Sequence, residues 1–295
     1  MDMRITHLRV DNFKSLVDFN LPLAKFNCLV GLNGSGKSTV LQFFDFLSQQ
    51  VKGDLDDWLK KRKWEASDIN SKLTRKKNID FEACLLHNEG FEVKWSASFN
   101  RTTLRCTAER LSAFLYEIGA AKRDDIKQTM TKIYPTIKKI DVEKLCFGWK
   151  RLLVEEEFKK TLLKTEARHV ADGFLRMLAI LAQLSKEQSF LLLDEIENGI
   201  NPELIEFVVD NLVQSPPQVL VTTHSPMILN YLEDDIAIEG VIYLYKTQNG
   251  STQAVRLFDI PSMREKLTVM GPGEVYEDTL LTKLDQEINS LQQTN

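Results

Sequence analysis

Cysteine is scarce in this 295-residue chain, and the four present, Cys28, Cys84, Cys106 and Cys146, form no C-x-x-C pair. That spacing argues against a zinc ribbon and favours reduced thiols over a disulfide framework. Histidine is equally scarce, with four scattered residues, which makes a structural metal cluster improbable. No apolar run approaches the roughly 18 residues that cross a bilayer. The amino-terminal MDMRITHLRVDNF alternates like a strand and lacks an apolar signal core. Long heptad arrays, low-complexity tracts and repeats are also missing. A strong charge of one sign is missing too: the net charge is −4, with 43% hydrophobic and 27% charged residues, as in ordinary globular domains. These absences point to a cytoplasmic chain without a membrane partner, long enough for one large α/β domain or two small ones.

What is present is a phosphate-binding loop. Gly31-Leu32-Asn33-Gly34-Ser35-Gly36-Lys37-Ser38, followed by Thr39, fits G-x-x-x-x-G-K-[ST]. FNCLV before it reads as a short buried strand, and VLQFFDFL after it reads as an apolar helix. Backbone N–H groups at such a strand-to-helix turn make an anion cradle. Lys37 is expected to reach the β- and γ-phosphates of ATP or GTP, and the Ser38 hydroxyl to bind Mg²⁺.

The rest of the chain alternates strands and helices. Residues 3–10 and 17–23 suggest a hairpin, and 80–86 with 91–99 suggest two antiparallel strands. Helices are expected over 108–118, 122–133 and 155–164, the last from its acidic start and basic end. Helix 172–185, strand 190–193, helix 202–214, strand 219–222, a short helix to 232 and strands near 241–246 and 253–257 follow. The continuous apolar strands indicate a parallel sheet covered on both faces. Residues 52–77 hold nine Lys/Arg against five Asp/Glu, including Lys60-Lys61-Arg62-Lys63. That run is either a face for a phosphate backbone or a solvated helix face.

Three segments complete the chemistry. Phe190-Leu191-Leu192-Leu193-Asp194-Glu195 is an apolar strand ending in two carboxylates. Asp194 is placed to contact Mg²⁺, and Glu195 to act as general base toward water. Val219-Leu220-Val221-Thr222-Thr223-His224-Ser225-Pro226 is a second such strand. His224 at its tip suits contact with the γ-phosphate; Ser225 and Pro226 also read as an ordinary helix cap, and both readings can hold. Ala171-Asp172-Gly173 opens a helix whose N–H groups form another potential anion site, or simply an Asp-capped start.

Together these motifs resemble the ABC-type ATPases of the SMC and RecF-like branch, especially compact bacterial AAA-family ATPases related to OLD proteins. The resemblance is carried by Asn12-Phe13-Lys14-Ser15-Leu16, Gly31 to Thr39, Ala171-Asp172-Gly173, Asp194-Glu195-Ile196-Glu197-Asn198-Gly199-Ile200-Asn201-Pro202 and Thr223-His224-Ser225-Pro226. It implies an α/β P-loop NTPase of ABC/SMC-head type, with a mixed sheet core, an antiparallel N-terminal sheet and a small inserted arm or lid. The head would comprise 1–50 and 166–260, the insertion 51–165 and a helical tail 261–295. It also implies an ATPase binding ATP and Mg²⁺, whose hydrolysis two departures from the family pattern would make slow. Catalysis would rest on Lys37, Glu195 and His224. Nucleotide contacts would come from Lys14, Asn33, Gly34, Ser35, Gly36, Lys37, Ser38 and Thr39, and metal contacts from Ser38 and Asp194. Asp172 and Gly173 would close the partner's nucleotide in a homodimer.

Two departures stand out: Ala171 replaces the usual signature serine, and no glutamine fits the expected strand, since Gln42 and Gln128 lack its context. The 134 positions between Lys37 and Ala171 exclude a long coiled coil. The roughly 60 residues after 232 are too few for a Toprim nuclease domain. An effector is therefore expected on a separate polypeptide, in an anti-phage defence module. A RecF-like repair ATPase touching DNA through Lys60–Lys63 is the alternative, and a transporter subunit ranks lower. In the tail, Leu280, Leu284, Ile288 and Leu291 recur at helical spacing, for a partner or for the chain's own core.

Overall fold

The computed structural model describes residues 3–52, 55–65, 68–76, 78–87, 92–99, 119–144, 150–158, 161–184 and 190–294. Strands β1 (Met3–Asp11) and β2 (Phe19–Pro22) precede β3 (Phe26–Val30), which runs into the glycine-rich loop and α1 (Lys37–Lys52). Then come α2 (Leu55–Arg62), β4 (Ile79–His87), β5 (Glu92–Phe99), α3 (Gly119–Ile133), β6 (Ile137–Lys144), β7 (Lys150–Phe158) and β8 (Thr161–Glu166). The second half holds α4 (Asp172–Leu184), β9 (Phe190–Leu193), α5 (Ile205–Val213), β10 (Gln218–Thr222), α6 (Pro226–Asn230) and α7 (Asp234–Gly240). It closes with β11 (Val241–Lys246), β12 (Thr252–Arg256), α8 (Pro261–Leu267), α9 (Pro272–Glu277) and α10 (Leu281–Thr294).

The central sheet has the order β12-β11-β3-β10-β9, parallel except for its antiparallel edge β12. Its strands are apolar at consecutive positions because both faces are covered. On one face Cys28, Val30, Val219, Val221 and Tyr243 join a core with α4, α5 and the tail. On the other, Leu29, Leu220, Ile242 and Leu244 pack on Val40, Phe43 and Phe44 of α1 and on the N-terminal sheet. That second sheet is antiparallel, in the order β2-β1-β4-β5. Buried Gln218 fastens it to β10: its amide exchanges hydrogen bonds with Ile5 N–H at 2.8 Å and Ile5 C=O at 2.7 Å.

One predicted helix is absent. Residues 155–158 lie in β7 and 161–164 in β8, two strands of a three-stranded antiparallel sheet with β6. The acid-to-base gradient that imitates a helix dipole is instead cross-strand pairing, with Glu155 3.7 Å from Lys164. Residues 108–118 lie outside the described residues. From Glu274 onward the tail breaks between α9 and α10, leaving Leu280 63% exposed, while Leu284 and Ile288 are buried in the chain's own core. Leu291 lies where side chains are not described. Among the described residues no helix is long and apolar enough to cross a membrane.

Candidate nucleotide site

Three adjacent parallel strands bring the motifs to one edge. Val221 of β10 is level with Cys28 of β3 and Leu193 of β9, so the residues that follow leave the sheet side by side. They are the phosphate loop after β3, Asp194-Glu195 after β9 and Thr223-His224 after β10. The carboxyl ends of parallel strands are where open α/β sheets bind ligands.

Lys37 is only 6% exposed, and its ammonium donates to Gly31 C=O at 2.7 Å and Leu32 C=O at 3.2 Å. Burial lowers its pKa, while Glu195, Asp194 and Glu197 act in the opposite sense and favour the charged form. Asn33, Gly34 and Ser38 are exposed, and Thr39 is half-buried. Ser35 is 3% exposed, and its hydroxyl is buried without a hydrogen-bond partner among the described residues. A buried unpaired hydroxyl inside an N–H-lined loop fits an anionic ligand better than an empty turn.

The carboxylates are held by residues that the sequence reading left without roles. Thr222, fully buried, donates its hydroxyl to Asp194 Oδ1 at 2.6 Å and accepts Glu195 N–H at 2.8 Å. Arg176, on the second turn of α4, donates to the carbonyls of Asp194 (2.7 Å) and Glu195. Glu195 sits at φ +47°, a left-handed conformation that costs a non-glycine residue roughly 1–2 kcal/mol. Those bonds on both sides of Glu195 hold the turn. Its carboxylate accepts from Asn198 Nδ2 and lies 3.7 Å from His224 Nε2. His224 N–H donates to Glu197 Oε1 at 2.7 Å, and the other oxygen of Glu197 is buried without a partner among the described residues. Ser225 makes no side-chain cap; Thr223 Oγ1 instead accepts Ser225 N–H at 2.9 Å, shaping the turn that presents His224.

Gly173 is required by a close approach. A Cβ there would stand 2.1 Å from Gly199 C=O, so the start of α4 packs directly on the segment after Glu195. Leu175 N–H reaches Ala171 C=O at 3.2 Å, which makes Ala171 the entry residue of the helix. Asp172 begins α4, and its side chain is not among those described.

Lys14 stands beside α1. Its N–H donates to Ile69 C=O at 2.8 Å and its ammonium to Gln42 Oε1 at 2.8 Å, one turn beyond Ser38. The ammonium also lies 3.4 Å from the centroid of the Trp64 ring. Burial, then repulsion from Arg62, lowers the Lys14 pKa to about 8. Lys60, Lys61 and Lys63 are exposed at the end of α2 and just beyond it, whereas Arg62 lies 3.6 Å from Asp45.

Among the described residues no group of three or more His, Cys, Asp or Glu side chains could hold a metal by itself. A divalent ion here would need the nucleotide's phosphates as ligands, together with Ser38 and Asp194.

This arrangement defines the class: a P-loop ATPase built on the ABC/SMC-head fold. A family profile described as AAA ATPase domain matches residues 3–169, more than half of the chain, and the protein belongs to that family. A stretch of 105 residues, 36% of the chain, is 32% identical to an OLD nuclease of Thermus scotoductus. The match spans 18% of that relative's length. Solved structures with the same fold include an SMC head bound to the C-winged helix domain of ScpA, with TM-score 0.59 and 16% identity. That superposition covers 85% of this chain and 97% of the other. The recombination mediator RecF with ATP matches at TM-score 0.54 and 12% identity, over 86% and 99% of the two chains.

Proposed function

We propose that this ATPase closes as a homodimer around two ATP molecules and thereby gates a separate effector protein. Lys37 and the N–H groups of residues 33–38 hold the phosphates, with Thr39 and Lys14 completing the nucleotide contacts. Ser38 and Asp194 share Mg²⁺. Glu195 takes a proton from the attacking water, whose oxygen bonds to the γ-phosphorus as the bond to ADP breaks. His224 reports whether the γ-phosphate is present. Asp172 and Gly173 of one subunit close over the nucleotide of the other, with Ala171 in place of a hydroxyl donor.

The observation that carries this reading is the exposure of the site. Gly34, Ser38, Asp194 and His224 are all exposed at one edge of the sheet, and the side chain of Glu195 is 42% exposed. Hydrolysis at a water-filled edge is inefficient, because screening weakens every electrostatic contact to the transition state. A second copy supplies the missing wall. The test is co-purification of tagged and untagged Glu195→Gln chains. Retention that requires ATP and Mg²⁺ supports the reading, and retention independent of nucleotide opposes it. The identity to a protein named an OLD nuclease favours a nuclease-type effector, and anti-phage defence is the setting proposed for the pair.

A second reading is a RecF-like repair ATPase. The exposed Lys60, Lys61 and Lys63 favour it, as a patch for a phosphate backbone.

A further inference from the structure

Thr252 opens β12, far from every motif in the sequence, and is fully buried. Its hydroxyl meets three groups: Ser35 C=O at 2.8 Å, Ser15 Oγ at 2.9 Å and Lys246 Nζ at 3.0 Å. A threonine hydroxyl has one hydrogen and two lone pairs. Ser35 C=O only accepts and the Lys246 ammonium only donates, so the hydrogen is committed to Ser35. Ser15 must then be the donor in its pair, and the capacity of the hydroxyl is filled. The backbone N–H of Thr252 also donates to Ser15 C=O at 2.8 Å. One buried residue thus joins the loop that carries Lys14 to the loop that carries Lys37.

The contact with Ser35 has a directional consequence. The Ser35–Gly36 peptide is trans, so its C=O and N–H point in opposite directions. Holding Ser35 C=O toward β12 turns Gly36 N–H away from β12, to the side where an anion is cradled. Gly36 takes φ +114°, and a Cβ there would stand 2.4 Å from Thr252 Oγ1, so the loop and β12 meet without a gap. A peptide free to rotate would at times present a carbonyl, rather than an N–H, to the phosphates. The Lys246 ammonium strengthens the restraint by polarising the hydroxyl that donates to Ser35.

We infer that Thr252 is a positioning residue for nucleotide binding: it fixes the Ser35–Gly36 peptide so that Gly36 N–H is aimed into the phosphate cradle. The inference rests on residues 31–39 being the nucleotide site, and the wild-type protein and Lys37→Ala test that premise separately. The experiment measures the Kd of a fluorescent ATP analogue with Mg²⁺ for wild type, Thr252→Val and Thr252→Ser. Valine keeps the shape and removes the hydroxyl, and serine restores it. Loss of one such bond predicts about tenfold weaker binding for valine, with serine within about threefold of wild type. Turnover at saturating ATP should change less than KM, because Thr252 touches no reacting atom. Valine binding as tightly as wild type, or serine binding as weakly as valine, overturns the inference. Should Thr252→Val fail to fold by circular dichroism, Lys246→Met carries the test. It leaves the hydroxyl in place, and about threefold weaker binding is expected; unchanged binding overturns the inference.

Discussion

Thr222 Oγ1, at the end of β10, donates to Asp194 Oδ1 across 2.6 Å at the end of the neighbouring strand β9. The same oxygen accepts the N–H of Glu195, so a single hydroxyl orients the Asp194 carboxylate and fixes the Glu195 backbone after β9. Thr222→Val is close to isosteric, but it leaves the part-buried Glu195 N–H unpaired and frees the Asp194 carboxylate to rotate. Stability is expected to fall by about 1–3 kcal/mol. ATP turnover should fall at least tenfold, with KM changed less. Urea denaturation and steady-state kinetics read the two effects separately.

Gly173→Ala places a methyl group 2.1 Å from Gly199 C=O, where backbone, not a flexible side chain, would have to move. The expected cost is about 1–3 kcal/mol of overpacking, read as a lowered midpoint of thermal unfolding. Because α4 also clamps Asp194 and Glu195 through Arg176, hydrolysis should drop along with stability. Arg176→Met, which removes the single Nη2 that donates to both carbonyls, should lose turnover.

Lys14 loses its proton near pH 8, because burial and the nearby Arg62 charge disfavour the ammonium. Lowering an amine's pKa makes the charged form the one lost as pH rises. The contribution of Lys14 to ATP affinity should therefore be full at pH 7 and largely gone by about pH 9. Lys14→Arg, charged throughout that range, should flatten the profile. Equilibrium binding of ATP across pH 6.5–9.5 measures it, and a wild-type profile no steeper than the variant's would contradict the role of Lys14.

The DNA reading makes its own demand. If Lys60, Lys61 and Lys63 neutralise phosphates, changing all three to Glu should abolish ATP-stimulated duplex binding. Neutralising them to Gln should reduce the slope of log K against log salt by about three. Fluorescence anisotropy over a salt series separates this from an unspecific loss of affinity, in which the slope stays constant.

Much of the site was legible because its chemistry is local. A phosphate loop needs consecutive glycines, a lysine and a serine, and an apolar strand ending in Asp-Glu or His announces itself within a few residues. Most of the parallel sheet was equally legible, since strands buried on both faces stay apolar without alternation. The pair β7 and β8 was misread because Glu155–Glu157 and Lys164 follow the charge order of a helix. Their partners across the β7–β8 pair, 5 to 9 positions away in the chain, are visible only once the two strands pair. Arg176, Thr222, Glu197 and Thr252 were missed for a related reason. Each acts through backbone carbonyls, N–H groups or a neighbouring carboxylate brought close by topology, and a lone Thr or Arg in a helix or strand carries no spacing signal. The Val219-Leu220-Val221-Thr222 run of β10, level with the hhhhDE of β9, was the one available hint for Thr222.

The claim that two chains enclose the nucleotide is tested most directly by the solution mass of Glu195→Gln, measured by light scattering with and without ATP and Mg²⁺. Removing the base should block hydrolysis while leaving binding intact. The predicted result is one chain mass without nucleotide, twice that with ATP, and a return to one with ADP or when Lys37→Ala is added. A protein that binds ATP yet keeps the mass of a single chain would contradict it.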